Sequence, residues 1–214
     1  MPNPLIFSPD QLAPGKAPAF DGHIHTIWTD GELPVAGVYA QAVDCGLEAI
    51  LFSEHARKTS TDWFNDFAAE VRALPTSPCR AFVGVECKVE DFDGTLDTAP
   101  EIYDLCDLVM ASVHRFPDGK GGAYAFDAVP PEQAVELEFR LSMAALSNPL
   151  TDVLGHPFGM SYKRFKTAPG EDLLRELCAA AAKNQVAIEI NSAYHPDPWR
   201  LIDLCRDAGV QISL

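Results

Sequence analysis

The sequence predicts an α/β fold in which seven parallel strands close into a barrel. Seven short apolar or β-branched runs alternate with six longer segments of helical periodicity, and residues of metal-ligand type follow almost every run. Strands that alternate with helices at this pace are typical of βαβ units and a parallel sheet. Functional side chains gather at the carboxyl ends of parallel strands, so their presence after nearly every strand favours a barrel over an open sheet.

The predicted elements cover most of the chain after residue 18. The strand-like runs are 19–25, 49–53, 81–85, 108–113, 152–155, 186–191 and 210–214. The helical segments are 35–45, 62–74, 99–106, 131–147, 171–183 and 197–208. The longest helical segment, 131–147, has apolar residues that suit a helix buried on one side, and Pro131 and Pro149 mark its ends.

One domain is expected, spanning residues 19–214, since no linker or repeat divides the 214 residues. Residues 1–18 read as an irregular, proline-rich lead-in without the basic start and apolar core of a secretory signal. The last strand-like run reaches Leu214 with no helix after it, which predicts a form truncated after the last strand.

The composition limits the classes of partner that the protein is expected to bind. A net charge of −15 repels a phosphate backbone over most of the surface and disfavours long nucleic acids. No apolar run approaches the roughly 20 residues that a membrane-spanning helix needs. The six cysteines lack C-x-x-C spacing, which indicates reduced thiols in a cytoplasmic protein. The sequence leaves the oligomeric state open.

Two of the six histidines, His23 and His25, stand one residue apart in a predicted strand. Alternation places both side chains on one face, where they could chelate a metal ion. A core hydrogen bond for one and exposure for the other is an equally good interpretation of this pair alone. The rest of the chain favours the metal, because further ligand-type residues follow successive strands: Asp30, His55, Glu86, His114 and His156.

The ordered motifs H-x-H-T…D-G, S-E-H, G-x-E, S-V-H and G-H-P resemble those of the polymerase and histidinol phosphatase (PHP) family of metal-dependent phosphoesterases. The resemblance extends from Phe20 to Leu214. It implies a distorted seven-stranded TIM-like (β/α)7 barrel that holds up to three divalent ions (Zn, Mn or Fe). The ligands that it implies are His23, His25, Asp30, His55, Glu86, His114 and His156.

The chain departs from the family pattern at its end. Family members carry an Asp-x-His pair after the final strand, where this sequence stops at Leu214. Without that pair, we expect the chain as given to bind fewer ions or to hold one loosely, and its activity is left open.

The resemblance implies hydrolysis of a small phosphorylated metabolite, similar to histidinol phosphate, by water that the ions activate. Glu86 is expected to bridge two ions and His25 to bind close to the reacting water, without a protein nucleophile. Two alternatives stand: a nucleotide or oligonucleotide phosphodiesterase of the same family, and a metal-binding scaffold domain without turnover.

Further residues have both a functional and an ordinary interpretation. The substrate phosphate could contact a group of cations near the predicted rim, each of which could equally be a solvated surface charge: Arg57, Lys58, Arg115, Lys163 and Arg164. Asp21, Glu54 and Asn191 could orient imidazoles or bind backbone. His195 is expected to be an ordinary loop histidine, with substrate contact as the alternative. Trp28, Trp63 and Phe116 could wall the pocket or pack in the core.

Overall fold

The structure is a computed structural model that describes residues 5–13 and 15–214. Seven parallel strands form one sheet in sequential order: β1 (Phe20–Ile24), β2 (Ala49–Glu54), β3 (Arg80–Lys88), β4 (Leu108–Ser112), β5 (Val153–Leu154), β6 (Ala187–Glu189) and β7 (Ile212–Ser213). Seven helices connect and follow them: α1 (Val35–Asp44), α2 (Phe64–Arg72), α3 (Pro100–Tyr103), α4 (Pro131–Leu146), α5 (Gly159–Phe165), α6 (Glu171–Asn184) and α7 (Pro198–Ala208). Within the described ranges, no helix is long and apolar enough to cross a bilayer.

The sheet curves until its first and last strands meet. The N–H of Gly22 in β1 donates a hydrogen bond of 2.6 Å to the carbonyl of Leu214, next to β7. A Cβ atom at position 22 would lie 2.8 Å from that carbonyl oxygen, so the close approach requires glycine. The predicted seven-stranded barrel is therefore confirmed, in a nearly closed form.

Two apolar layers hold the barrel together. The larger lies between the strands and the surrounding helices and includes Ile50, Phe52 and Val85, all fully buried. A smaller cluster fills the barrel interior toward the amino ends of the strands: Leu5, Phe20, Leu51, Leu108, Met110, Val153 and Ala187. Because strand side chains alternate, the two layers take successive residues of the same strands.

The described part of the lead-in is packed against the barrel. Phe7 pairs with Ile212 of β7 through two backbone hydrogen bonds of 2.8 Å. Leu5 is 1% exposed inside the barrel, and Pro9–Gln11 form a short 3-10 helix. The predicted irregular segment 1–18 includes residues 1–4 and 14, which lie outside the described residues.

Helix α5 corrects the sequence prediction, which placed Lys163 and Arg164 in a loop after His156. The first turn of α5 has no side-chain cap of its own. Instead, the buried carboxylate of Glu138 on α4 accepts from the N–H of Met160 at 3.0 Å and from the N–H and hydroxyl of Ser161 at 2.7 and 2.6 Å. A contact distant in sequence thus stabilises a seven-residue helix that local signals did not indicate.

Candidate metal centre

The carboxyl ends of the first five strands bring the predicted ligands to one cavity of about 780 Å³. Glu86 lies within β3, His23 lies on β1 and His25 directly after it. His55, His114 and His156 follow β2, β4 and β5 within two residues of each strand end. Parallel strands end at the same side of a barrel, which explains the convergence of residues so far apart in sequence.

Glu86 is the centre of this site and only 1% exposed. Five imidazoles surround its two carboxylate oxygens. The distances to Oε2 are 3.2 Å from His23 Nε2, 3.4 Å from His25 Nε2 and 3.2 Å from His55 Nδ1. The distances to Oε1 are 3.0 Å from His114 Nε2 and 2.9 Å from His156 Nε2.

Two groups of residues within this arrangement could each hold a metal ion. The first is His23, Glu86 and His156, and the second is His25, His55 and Glu86. In each group the ligand atoms lie within 4.8 Å of one another. Glu86 belongs to both groups, and a carboxylate has two oxygens with which to serve two ions.

The donor set fits divalent cations. A carboxylate offers about four lone-pair directions, so five imidazoles cannot all donate well to Glu86. In addition, the Nδ1 atoms of His25 and His156 are buried without a hydrogen-bond partner among the described residues. Cations placed between imidazole nitrogens and the carboxylate would attract the lone pairs of both, and imidazole with carboxylate suits Zn, Mn or Fe.

The electrostatics of the site keep its carboxylate ionised. Burial alone would raise the pKa of Glu86, but His23 and His114 attract its negative charge and hold the pKa well below the usual range. Burial conversely favours neutral His23, yet Glu189 and Glu86 hold the pKa of His23 well above its usual value. A buried anion among imidazoles is therefore present at neutral pH.

Glu189, at the end of β6, is a site residue that the sequence interpretation missed. Its Oε1 accepts from His23 Nδ1 at 2.8 Å and from Asn191 Nδ2 at 2.9 Å, and its Oε2 accepts the N–H of His156. Despite burial, the attraction of His23 brings the pKa of Glu189 to about 2. The available signal was a carboxylate inside the apolar run 186–191.

Two predicted ligands lie at the edge of the cluster. The side chain of Asp30 is 66% exposed, with Oδ2 3.5 Å from His55 Nε2 and Oδ1 3.9 Å from His25 Nδ1. His114 contacts Glu86 but belongs to neither three-residue group. The structure brings all seven predicted ligands into one cavity lining, with five in the two groups.

Among the described residues, the side chains of Asp21, Glu54 and Asn191 make no hydrogen bond to an imidazole of the cluster. Asp21 accepts the backbone N–H of His23 at 3.1 Å. Glu54 accepts the N–H and hydroxyl of Thr26 at 2.7 and 2.5 Å, and lies 4.0 Å from His25 Nδ1. Asn191 acts on the site only through Glu189, so backbone and hydroxyl contacts dominate the roles of all three.

Four of the five predicted phosphate-binding cations line the cavity: Arg57, Arg115, Lys163 and Arg164. Lys58 does not line it, because its ammonium group pairs with Glu90 and its backbone N–H donates to Asp97. Lys88 does line the cavity, but its Nζ is 3.1 Å from Asp97.

The aromatic residues separate into packing and lining groups. Trp28 and Trp63 stack on each other at 5.8 Å beside Phe67, and Phe116 is buried, so these side chains pack rather than line the cavity. Tyr194 lines the cavity and stacks on His156 at 4.6 Å. It was not predicted as a site residue.

His195 is a buried structural histidine. Its Nδ1 accepts from the N–H of Asn191 at 3.2 Å, so Nε2 carries the proton and donates to the carbonyl of Pro157 at 3.2 Å. Burial lowers the pKa of His195 to about 4. This neutral ring joins the loop after β6 to the segment after His156.

The fold and the site together define a (β/α) barrel with His and Glu groups at its carboxyl end that could hold metal ions. The family model described as "PHP domain" matches residues 21–193. The chain belongs to this PHP domain family.

Individual proteins are similar to the chain at low identity. The "DNA polymerase/3'-5' exonuclease PolX" of Bacillus subtilis is 26% identical over 180 residues, covering 80% of this chain and 29% of that protein. The "Probable phosphatase YcdX" of Shigella flexneri is 24% identical over 176 residues, covering 81% of this chain and 64% of that protein. The chain thus spans less than two thirds of the length of both relatives.

Among solved structures, the "putative histidinol phosphatase hisK" of Listeria monocytogenes superposes with a TM-score of 0.69. The alignment covers 91% of this chain and 93% of that chain, at 16% sequence identity. At this identity the likeness shows a shared fold alone.

Proposed function

We propose that the protein is a metal-dependent phosphoesterase that hydrolyses a small phosphate monoester. One observation carries the proposal: the two candidate metal groups share the buried carboxylate of Glu86. A pair of ions that share one carboxylate would lie close together, as hydrolysis of phosphate esters at two-metal sites requires. Membership of the PHP family and relatives named as phosphatases support the same reaction class.

Divalent ions bound in such a site supply charge stabilisation of the phosphoryl group and water that is acidic enough to react near neutral pH. The residues of the chain would provide the ligands for these ions. Glu86 holds both positions, His23 and His156 complete one, and His25 and His55 complete the other. Asp30 and His114 are proposed as additional ligands at the edge of the cluster.

Glu189 acts in this proposal by orienting a ligand. Its carboxylate can only accept, so Nδ1 of His23 carries a proton, and an ion that displaced the proton at Nε2 would meet a lone pair directed toward the centre. The same carboxylate fixes the backbone at His156. One residue therefore sets the direction of two ligands in the first group.

The cationic side chains on the cavity lining would attract an anionic substrate. Arg57, Arg115, Lys163 and Arg164 have no carboxylate partner among the described residues, in a chain whose net charge is −15. They supply local positive potential where the rest of the surface repels anions. Lys58 is left out of this set because Glu90 neutralises it.

The proposed substrate is a small phosphorylated metabolite, with a histidinol-phosphate-like ester as one candidate because of the name of the Listeria protein. A nucleotide or oligonucleotide phosphodiesterase is the second candidate, favoured by the exonuclease name of the Bacillus relative. A scaffold without turnover is the third. A single PHP-type domain over residues 19–214 and a cytoplasmic location belong to the same proposal.

Metal analysis followed by an assay tests this function. We expect the protein to bind Mn or Zn and to hydrolyse p-nitrophenyl phosphate with either ion added, and Glu86→Gln to lose both properties. Glu176→Gln, an exposed change on α6, is the matched control and should resemble the wild type. Preference for bis(p-nitrophenyl) phosphate would favour the phosphodiesterase, and metal binding without turnover of either ester would favour the scaffold.

A further inference from the structure

Two arginines on the cavity lining share one aromatic ring. The guanidinium of Arg115, just after β4, lies 4.5 Å from the centroid of Phe126. The guanidinium of Arg164, on α5, lies 4.1 Å from the same centroid. Phe126 belongs to a short 3-10 helix between β4 and α4. Three separate segments therefore converge on this arrangement, which we call the Arg115–Phe126–Arg164 stack.

The stack brings two like charges together without a neutralising anion. Four of the seven other arginines pair with carboxylates (Arg72, Arg175, Arg200 and Arg206), whereas Arg57, Arg80 and Arg140 have no such pair among the described residues. Within the described ranges, neither Arg115 nor Arg164 has such a partner. The ring face attracts each guanidinium and offsets part of their mutual repulsion, but it supplies no net negative charge. Two guanidinium groups on one ring thus form a positively charged spot that a bound anion would neutralise.

The charge of the proposed metal site indicates which anion this is. This step depends on the proposed function. Two divalent ions beside the carboxylates of Glu86, Asp30 and Glu189 would leave a formal charge of about +1, which the phosphate dianion of a monoester more than balances. Most of the unpaired cations on the lining are thus not needed for the phosphate at the metal site. These cations are therefore available to bind another anionic group in the same cavity.

We propose that the Arg115–Phe126–Arg164 stack binds a second phosphate group of the substrate, on the leaving-group side of the hydrolysed ester. A guanidinium presents paired N–H donors in a plane, which matches phosphate oxygens better than an ammonium group does. Both arginines line the same 780 Å³ cavity as the histidine cluster, so one small molecule can reach both regions. The favoured substrate class is a small metabolite bisphosphate.

Turnover of matched esters is the first test. Phosphate release from glucose 1,6-bisphosphate is compared with release from glucose 1-phosphate and glucose 6-phosphate, with Mn present. We expect kcat/KM for the bisphosphate to exceed that for either monophosphate by about tenfold or more, and Arg115→Gln and Arg164→Gln to reduce this ratio to about 2. Arg140→Gln removes an exposed arginine stacked on Phe92 at 4.3 Å, outside the cavity, and should keep the wild-type ratio.

Binding without metal is the second test and does not depend on catalysis. Calorimetry on the EDTA-treated protein should show glucose 1,6-bisphosphate binding that weakens about fivefold or more in Arg164→Gln and stays unchanged in Arg140→Gln. Absence of binding to the wild type, or equal affinity in both variants, would overturn the second-phosphate site. Hydrolysis of p-nitrophenyl phosphate separates the two proposals: its absence with every metal tested contradicts the phosphoesterase, whereas its presence with equal kcat/KM for mono- and bisphosphates contradicts only the stack.

Discussion

The two ends of the barrel are built from the same strands and have opposite chemistry. Toward the amino ends, Leu51, Met110 and Ala187 belong to a buried apolar cluster. Toward the carboxyl ends, the residues on the inward faces become acidic. On β6, Ala187 is followed two residues later by Glu189. On β3, Phe82 is followed by Gly84 and then by Glu86. A shift of about 7 Å along β6, or about 13 Å along β3, thus passes from apolar packing to titratable side chains. Stability resides at one end, and the proposed chemistry at the other.

Because the apolar cluster and the ionisable groups lie at different ends of the barrel, the ionisable groups do not have to stabilise the fold. Five imidazoles and two buried carboxylates are costly to collect in a cavity unless ions or substrate compensate. The apolar cluster and the helix layer provide the free energy that tolerates them. Mutations at the two ends should therefore have separable effects on activity and on stability.

The largest effect is expected at the carboxyl end. Glu86→Gln removes the shared carboxylate, and loss of about 4 kcal/mol of charge stabilisation would reduce kcat/KM roughly 10³-fold or more. Elemental analysis should show a loss of bound metal in the same variant. Full turnover of p-nitrophenyl phosphate by purified Glu86→Gln would break the proposed division between the two ends.

A substitution in the apolar cluster at the amino end should lower stability and leave metal binding intact. Met110 is fully buried inside the barrel, and Met110→Ala should lower the free energy of unfolding by about 2–5 kcal/mol. Because Met110 lies in the apolar cluster, the folded variant should keep its metal content. Chemical denaturation measures the first quantity and elemental analysis the second. A metal loss as large as that in Glu86→Gln would show that the two ends are coupled.

Glu189 lies at the carboxyl end of the barrel but belongs to neither metal group. A substitution there tests whether the orientation of the ligands supports metal binding. Glu189→Gln keeps the size of the side chain but can place an amide N–H toward His23 or the N–H of His156. We expect metal affinity to fall about 10- to 100-fold. Competition with a chromophoric chelator measures it, with Glu176→Gln as control. An unchanged affinity would assign Glu189 a role in packing alone.

The smallest expected effect is the contribution of His195 to the pH dependence of stability. Burial lowers its pKa to about 4 in the folded protein, whereas an unfolded histidine titrates near 6.5. The unfolded state therefore binds the proton first, so the stability from neutral His195 is complete above pH 6.5 and declines as pH falls toward 4. The loss amounts to about 2 kcal/mol by pH 5.

His195→Asn should remove this dependence. Its carbonyl oxygen can still accept from the N–H of Asn191, although the bond to Pro157 is lost. Denaturation of both proteins in EDTA should show a lower stability at pH 7.5 and a shallower decline toward pH 5 in the variant. Parallel curves would show that His195 does not contribute to the pH dependence.

The sequence predicted the barrel and the convergence of the histidines for a simple physical reason. Alternation and strand ends are local signals, and the parallel topology turns them into a common rim. Glu189 was missed because the predicted strand continued to residue 191, whereas β6 ends at Glu189. Helix α5 could not be predicted, because its first turn is bound by Glu138, more than twenty residues earlier. Arg57 lines the cavity whereas Lys58 pairs with Glu90, and this contact between residues distant in sequence gives no local signal.

The number of ions bound per chain tests the central claim most directly. Protein equilibrated with Mn or Zn and freed of excess metal should retain about two ions per chain, one for each group that shares Glu86. Glu86→Gln should retain fewer than one. Equal metal content in the two proteins, or none in the wild type, would contradict the account.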